Sequence, residues 1–394
     1  MANQEPISRL RWLDAFRGVA VVGMIATHVA GALLANGWKQ GELWNNLNIS
    51  FGFVAPAFLL CSGIALWVAL QRATLQQFPN EGVASQTNRL LLRAGMIVLL
   101  GYWLQIPVLS LRQLIWRHDP TELARLFDSN ILQVIGVTMI GLIACVRFTQ
   151  SIAATASVAA VIAAAVIIAT PFLSASTSYR ILWLPLQAYV APQPAASFSL
   201  FPHSAYLLIG FALSPLFAGR GLFALPFIIP LLLAIFSAST ALLLGVWIGE
   251  FPPHDNFWHG SIQHTFFRLA GLFVAIALLR FLAWWLRQRC AWLGSHGSRT
   301  LIEKIGARSL AIYVLHLMLI YGSPVNMGMT GWMNGQFQNA WGPLLCLLFF
   351  AAVTALSYGA ATLWNWVRKQ YPRVALWGKR AWWIAFWGLF LTIP

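Results

Sequence analysis

Three observations predict an all-α, polytopic integral membrane protein. Only 9% of the 394 residues are charged and 59% are hydrophobic, against a charged share of about 25% in ordinary globular domains. The mean hydropathy is +0.71. Apolar runs recur at about 20 residues, the length a helix needs to cross a hydrocarbon core of about 30 Å. So little charge cannot cover a soluble domain, and so much apolar side chain does not stay disordered.

The runs define roughly eleven candidate spans: 13–35, 49–71, 90–111, 130–147, 151–173, 199–217, 222–249, 263–286, 307–324, 341–366 and 381–394. The first, Leu13 to Ala35, is too long for the apolar region of a cleavable signal and has no small-residue cleavage pattern after it. It is expected to be a membrane helix. The last is short and is expected to enter the bilayer only part-way. No intervening segment is long enough for a soluble domain. The expectation is therefore one transmembrane domain over 1–394, with a core at about 8–325 and additional C-terminal helices at about 341–394.

A net charge of +15 first suggests a nucleic-acid partner, but position gives it another meaning. With the N-terminus inside, 18 of the 25 Lys and Arg residues fall on inner segments, 5 on outer segments, and Arg268 and Arg280 inside a span. Positive residues collect on the cytoplasmic side of membrane proteins, so the asymmetry predicts a cytoplasmic N-terminus and no nucleic-acid role. Cys61, Cys145, Cys290 and Cys346 are scattered without a CxxC pair and are expected to be small packing residues. His254, Asp255, His259 and His264 cluster without a trusted ligand spacing, so no metal is expected. His118 and His296 are expected in solvated loops. P-loop, HExxH and GxSxG motifs are absent, which removes support for soluble-type nucleotide hydrolysis, zinc proteolysis and serine-elbow chemistry.

Polar groups inside a membrane cost free energy and usually face protein or water. The first span carries Asp14, Arg17 and His28. Arg17 and His28 are eleven residues apart, about 20° from three full turns, so they share a face with a rise of about 16 Å. Asp14 lies one turn before Arg17, where a carboxylate can hold a guanidinium. A membrane-end anchor with a core histidine is the plainer reading. The ninth span places Ser309, Tyr313 and His316 at i, i+4 and i+7 after Arg308, either an interhelical polar cluster or a reacting site. Phe201-Pro202-His203 through Tyr206 opens the sixth span, with His203 near an interface as a solvated cap. Asp128-Ser129-Asn130 precedes Gln133; Asp128 or Ser129 is expected as N-cap. Trp44, Asn45 and Asn46 join amides to an aromatic, which suits sugar recognition and equally a membrane interface.

These motifs, in this order, resemble the heparan-alpha-glucosaminide N-acetyltransferase-like membrane proteins. The resemblance runs from Leu13-Asp14-Ala15-Phe16-Arg17-Gly18 through Trp44-Asn45 with Phe51 and Pro56, Leu132-Gln133, Phe201-Pro202 to Tyr206 and Gly210, and Arg308-Ser309-Leu310 to Tyr313 and His316. It covers the chain to about residue 325. The Arg17-to-His28 spacing also resembles the first helix of the related acyltransferase-3 membrane proteins. The resemblance implies acyl transfer from cytosolic acetyl-CoA to an amino or hydroxyl group of a sugar or glycan beyond the membrane. It implies Arg17, Asp14, Arg308, Ser309 and Tyr313 as the donor-binding set. Trp44, Asn45, Asn46, Asp128, Asn130, Gln133 and Tyr206 then form the acceptor set. His28 is the leading base, ahead of His316 and His203. Animal members carry a histidine three residues before Trp-Asn, where this chain has Gly41. A bacterial inner-membrane location follows, with membrane lipid and a second copy in a homodimer as further partners. A transporter or flippase for an anionic or lipid-linked glycan is the alternative; a non-catalytic polysaccharide-assembly partner is a third.

Overall fold

The computed structural model describes residues 10–75, 83–107, 109–116, 126–190, 197–218, 225–248, 260–289 and 299–393. His118, His254, Asp255, His259, Cys290 and His296 lie outside the described residues. The helices are α1 (Arg11–Leu33), α2 (Gly41–Phe51), α3 (Val54–Leu75), α4 (Val83–Gln105), α5 (Leu111–Trp116), α6 (Ile131–Thr149), α7 (Ile152–Ala175) and α8 (Leu184–Val190). They continue as α9 (Leu200–Ala218), α10 (Ile228–Ile248), α11 (Ile262–Arg289), α12 (Leu301–Gly306), α13 (Ser309–Ile320), α14 (Pro343–Gln370) and α15 (Pro372–Thr392), leaving aside the single turn Gly328–Gly331. Among the described residues there is no strand, only two isolated bridges.

Among the described residues, eight helical stretches are long and apolar enough to cross a membrane. Their exposure is as telling as their hydropathy. The α10 window reaches a hydropathy of 2.2 with only 17% of it buried, and Leu242, Val246 and Trp247 project outward. Apolar surface on that scale needs lipid around it. The chain is an all-α polytopic integral membrane protein. The ninth expected span is shorter than its apolar run: α13 has 12 residues, a rise of about 18 Å. It begins after Arg308 and is stopped by Gly322, whose φ of +92° suits a residue without Cβ just past a helix end. The last helix begins at Pro372, nine residues before the expected run at 381.

The chain divides into two compact units. The first comprises Met1–Phe16, Ala55–Gly101 and Asp128–Arg299. Its helices α6, α7 and α9 pack against one another, and α10 lies along α11. Backbone contact replaces side-chain packing where α3 meets α9. A Cβ on Gly63 would sit 2.0 Å from Leu207 O, and one on Gly210 would sit 2.2 Å from Leu60 O. Small residues allow such approach in membrane bundles, where packing and not water expulsion drives association.

The second unit comprises Arg17–Val54, Tyr102–Phe127 and Thr300–Pro394. Here α13 packs on α14, α14 on α15, and α15 on α5. Trp103 sits among Trp382 and Phe386 at 5.2 and 6.1 Å between ring centroids. The chain after α1 is stitched to the segment before α14. Leu34 bridges Trp341, Trp341 N donates to Leu33 O at 2.8 Å, and Asn339 N donates to Ala32 O at 3.0 Å. Lys39 Nζ donates to Gly31 O at 2.7 Å and to Asn339 Oδ1 at 2.6 Å. Partial burial of that ammonium lowers its pKa from the ordinary lysine value.

Candidate active site

The second unit joins α1 to the α12–α13 segment at two levels. At the first, a Cβ on Gly18 would lie 2.1 Å from Ile302 O, so α1 and α12 touch backbone to backbone one residue past Arg17. At the second, the rings of His28 and His316 stand 5.2 Å apart between centroids. Residues 18 and 28 therefore follow 302 and 316 in the same direction. Each segment carries an arginine towards its start (Arg17, Arg308) and a histidine further on (His28, His316). Capping secures the entry to this segment: Thr300 accepts from Glu303 N at 3.3 Å, and Glu303 accepts from Thr300 N at 3.0 Å, a reciprocal box.

The two histidines differ in environment. His316 is fully buried and its Nδ1 lies 3.1 Å from Ile312 O. A carbonyl only accepts, so Nδ1 carries the hydrogen and Nε2 carries a lone pair. That Nε2 is buried with no hydrogen-bond partner among the described residues. His28 is half-buried. Its Nδ1 lies 3.1 Å from Tyr321 OH, and the two rings meet edge to face at 5.4 Å. Tyr313 packs on His316 at 5.5 Å.

At the arginine end, Arg308 donates from Nη1 to Lys304 O at 3.1 Å and lies over the Tyr358 ring at 5.5 Å. Arg17 Nε and Arg308 Nε are both buried without a hydrogen-bond partner among the described residues. Ser309 begins α13. Trp44, Asn45 and Asn46 lie on α2, the amides exposed and Trp44 half-buried, with Trp44 edge-on to Phe51 at 6.5 Å.

The remaining expected residues fall in the first unit. Asp14 is buried in the first turn of α1. The N-cap of α6 is Asn130, not Asp128 or Ser129. Its Oδ1 accepts from Leu132 N at 2.9 Å, Gln133 Oε1 accepts from Asn130 N at 2.5 Å, and Asn130 Nδ2 donates to Gly101 O at 3.0 Å. Asn130 wins the position because it completes a capping box with a residue three ahead. Asp128 instead accepts from Ser197 N at 2.9 Å, and Ser129 Oγ donates to Ala188 O at 2.7 Å. His203 is buried and not solvated. Its Nδ1 donates to Ser199 O at 3.0 Å and its ring packs on Phe198 at 5.0 Å. Tyr206 is fully buried.

Residues 9–230 match the family described as heparan-alpha-glucosaminide N-acetyltransferase, catalytic. The chain belongs to this family. It is therefore a membrane acetyltransferase, from a family that in general takes its acetyl group from acetyl-CoA and gives it to a glycan. No curated protein matches the chain. The family match spans α1 through the start of α10 and includes Arg17 and His28. Arg308, Tyr313 and His316 lie beyond it, yet His316 is the residue whose ring meets His28 of the α1 stripe in the second unit.

Tyr321 is the site residue that sequence reading missed. It ends α13 as a half-exposed aromatic, a position common for any interfacial tyrosine. Only the 293-residue contact with His28 distinguishes it.

Proposed function

We propose that this acetyltransferase works at the His28–His316 pair, taking the acetyl group from cytosolic acetyl-CoA and giving it to an amino or hydroxyl group of an extracytoplasmic sugar. The observation that carries this reading is the meeting of those rings at 5.2 Å, with a lone pair on His316 Nε2 left without a partner. The N-terminus faces the cytoplasm of a bacterial inner membrane, as the distribution of basic residues supports.

Arg17 and Arg308 hold the donor's phosphates by charge-assisted hydrogen bonds. The rise of about 16 Å from Arg17 to His28 suits the long arm between phosphates and thioester. Ser309 and Tyr313 line the same segment. The exposed amides of α2 beside Trp44 offer the acceptor its hydrogen bonds. His28, the less buried histidine, takes the proton as the acceptor nitrogen or oxygen attacks the thioester carbonyl. The carbon–sulfur bond breaks, and the proton returns from His28 to the departing sulfur. His316, behind it, packs its ring against that of His28 and holds it in place.

Two substitutions separate these roles. Arg17→Ala and Arg308→Ala are each expected to raise KM for acetyl-CoA about 10- to 100-fold, the loss of one hydrogen bond to a charged group, with kcat changed far less. A pure loss of kcat would assign them elsewhere. Tyr321→Phe removes only the hydroxyl that holds His28 Nδ1. It is expected to lower kcat about tenfold with KM for acetyl-CoA unchanged, and steady-state kinetics in proteoliposomes read both.

A further inference from the structure

We propose that the turn joining α14 to α15 is a docking collar for the headgroups of anionic phospholipids. Arg368 and Lys369 end α14, and Arg373, Lys379 and Arg380 lie in the first half of α15. All five are exposed. No Asp or Glu follows Glu303 in the chain, so the hairpin holds no carboxylate to balance them. The helices packed along it, α13 and α5, have none either. Glu303 is buried and closes the cap box of α12. Arg368 Nη2 donates to Asn365 Oδ1 at 3.1 Å, and Arg380 lies over the Trp377 ring at 5.4 Å; both partners are neutral.

Helix length places this charge at a membrane surface. α14 has 28 residues, a rise of about 42 Å, against a hydrocarbon core of about 30 Å. Its uncharged start is tied to the end of α1, where Trp341 N donates to Leu33 O at 2.8 Å. Further along, Tyr358 lies under Arg308. Arg368 comes ten residues later, about 15 Å onward, past the arginine end of the candidate site. α15 then returns: Trp382 packs on Trp103 at 5.2 Å, and Ser110 Oγ donates to Ile393 O at 2.8 Å. Lys379 and Arg380 are therefore about 11–12 Å from the turn, within reach of the same interface through their long side chains. Trp364, Trp366, Tyr371 and Trp377 are exposed around the turn, as interfacial aromatics are. Clustered Lys and Arg beside a membrane helix attract acidic headgroups, about fivefold in affinity for each residue.

The test reads lipid retention and not turnover, so it stands or fails separately from acyl transfer. The intact protein, held on affinity resin in a neutral detergent, is mixed with equal amounts of phosphatidylglycerol and phosphatidylcholine. After washing, the bound lipid is eluted and counted by mass spectrometry. Wild type is expected to retain phosphatidylglycerol over phosphatidylcholine about tenfold or more at about 0.05 M salt. That preference is expected to fall severalfold at about 0.5 M salt, where exposed charges are screened. The combined variant Arg368→Gln, Lys369→Gln and Arg373→Gln is expected to lose the preference. The charge-keeping pair Arg368→Lys and Arg373→Lys keeps it, as does Arg112→Gln, which removes an exposed charge from α5. The salt series on wild type reads the claim without any variant. Equal retention of the two lipids by wild type overturns the proposal, and so does a preference that survives neutralisation of the collar. Displacement of phosphatidylglycerol from wild type by acetyl-CoA also overturns it, because the collar then belongs to the donor's phosphates.

Discussion

His28→Ala is expected to lower kcat for acetyl transfer about 10²- to 10⁴-fold, the usual contribution of a positioned general base, while the protein still folds. The geometry separates these effects. His28 is half-buried, and its ring gives up one hydrogen bond, that to Tyr321. His316→Ala is the contrasting case. Its ring is fully buried between Tyr313 and His28, so truncation also opens a cavity, a loss of a few kcal/mol in well-packed cores. Equal stability with collapsed turnover in His28→Ala, against lowered Tm in His316→Ala, is the expected pattern. The double variant is expected to be little slower than the worse single variant, because groups acting as a unit are not additive. Unchanged turnover in His28→Ala would remove it from the chemistry.

The largest effect on folding is expected at Gly63 and Gly210. An alanine Cβ at Gly63 would meet Leu207 O at 2.0 Å and Phe211 N at 2.7 Å; one at Gly210 would meet Leu60 O at 2.2 Å. These are main-chain atoms of a neighbouring helix and cannot rotate aside as a side chain does. The helices α3 and α9 must separate, which forfeits contacts along both. Overpacking a core costs about 1–3 kcal/mol where side chains yield, and the cost here lies at or above about 3 kcal/mol. Gly63→Ala and Gly210→Ala are each expected to lose the monodisperse peak in size-exclusion chromatography. Gly31 and Gly141 have open space where a Cβ would be, and alanine there is expected to leave the profile unchanged.

The membrane class and the α1 stripe were legible because both depend on local spacing. Arg17 and His28 lie on one continuous helix, so their shared face follows from 3.6 residues per turn. The pairing of His28 with His316 was not legible, since periodicity says which face is polar and not which helix it meets. Tyr321 stayed hidden for the same reason. The α6 cap shifted to Asn130 because three adjacent residues could each serve, and only the back-bond from Gln133 selects among them. The length of α13 was overread because Gly322 sits inside an apolar run, where hydropathy gives no sign of its left-handed φ. His203 was expected in solvent from its place near a helix start, whereas Ser199 O and the Phe198 ring enclose it.

The most direct measurement is photolabelling of the membrane-embedded protein with an acetyl-CoA analogue whose acyl group carries a photoreactive centre, read by peptide mass spectrometry. Label is expected on the α1 peptide containing His28 and on the α13 peptide containing His316 and Tyr321. Excess acetyl-CoA should suppress it, and Arg17→Ala or Arg308→Ala should weaken it. Competable label confined to peptides of the first unit, or no label that acetyl-CoA competes away, would contradict donor binding at the His28–His316 pair.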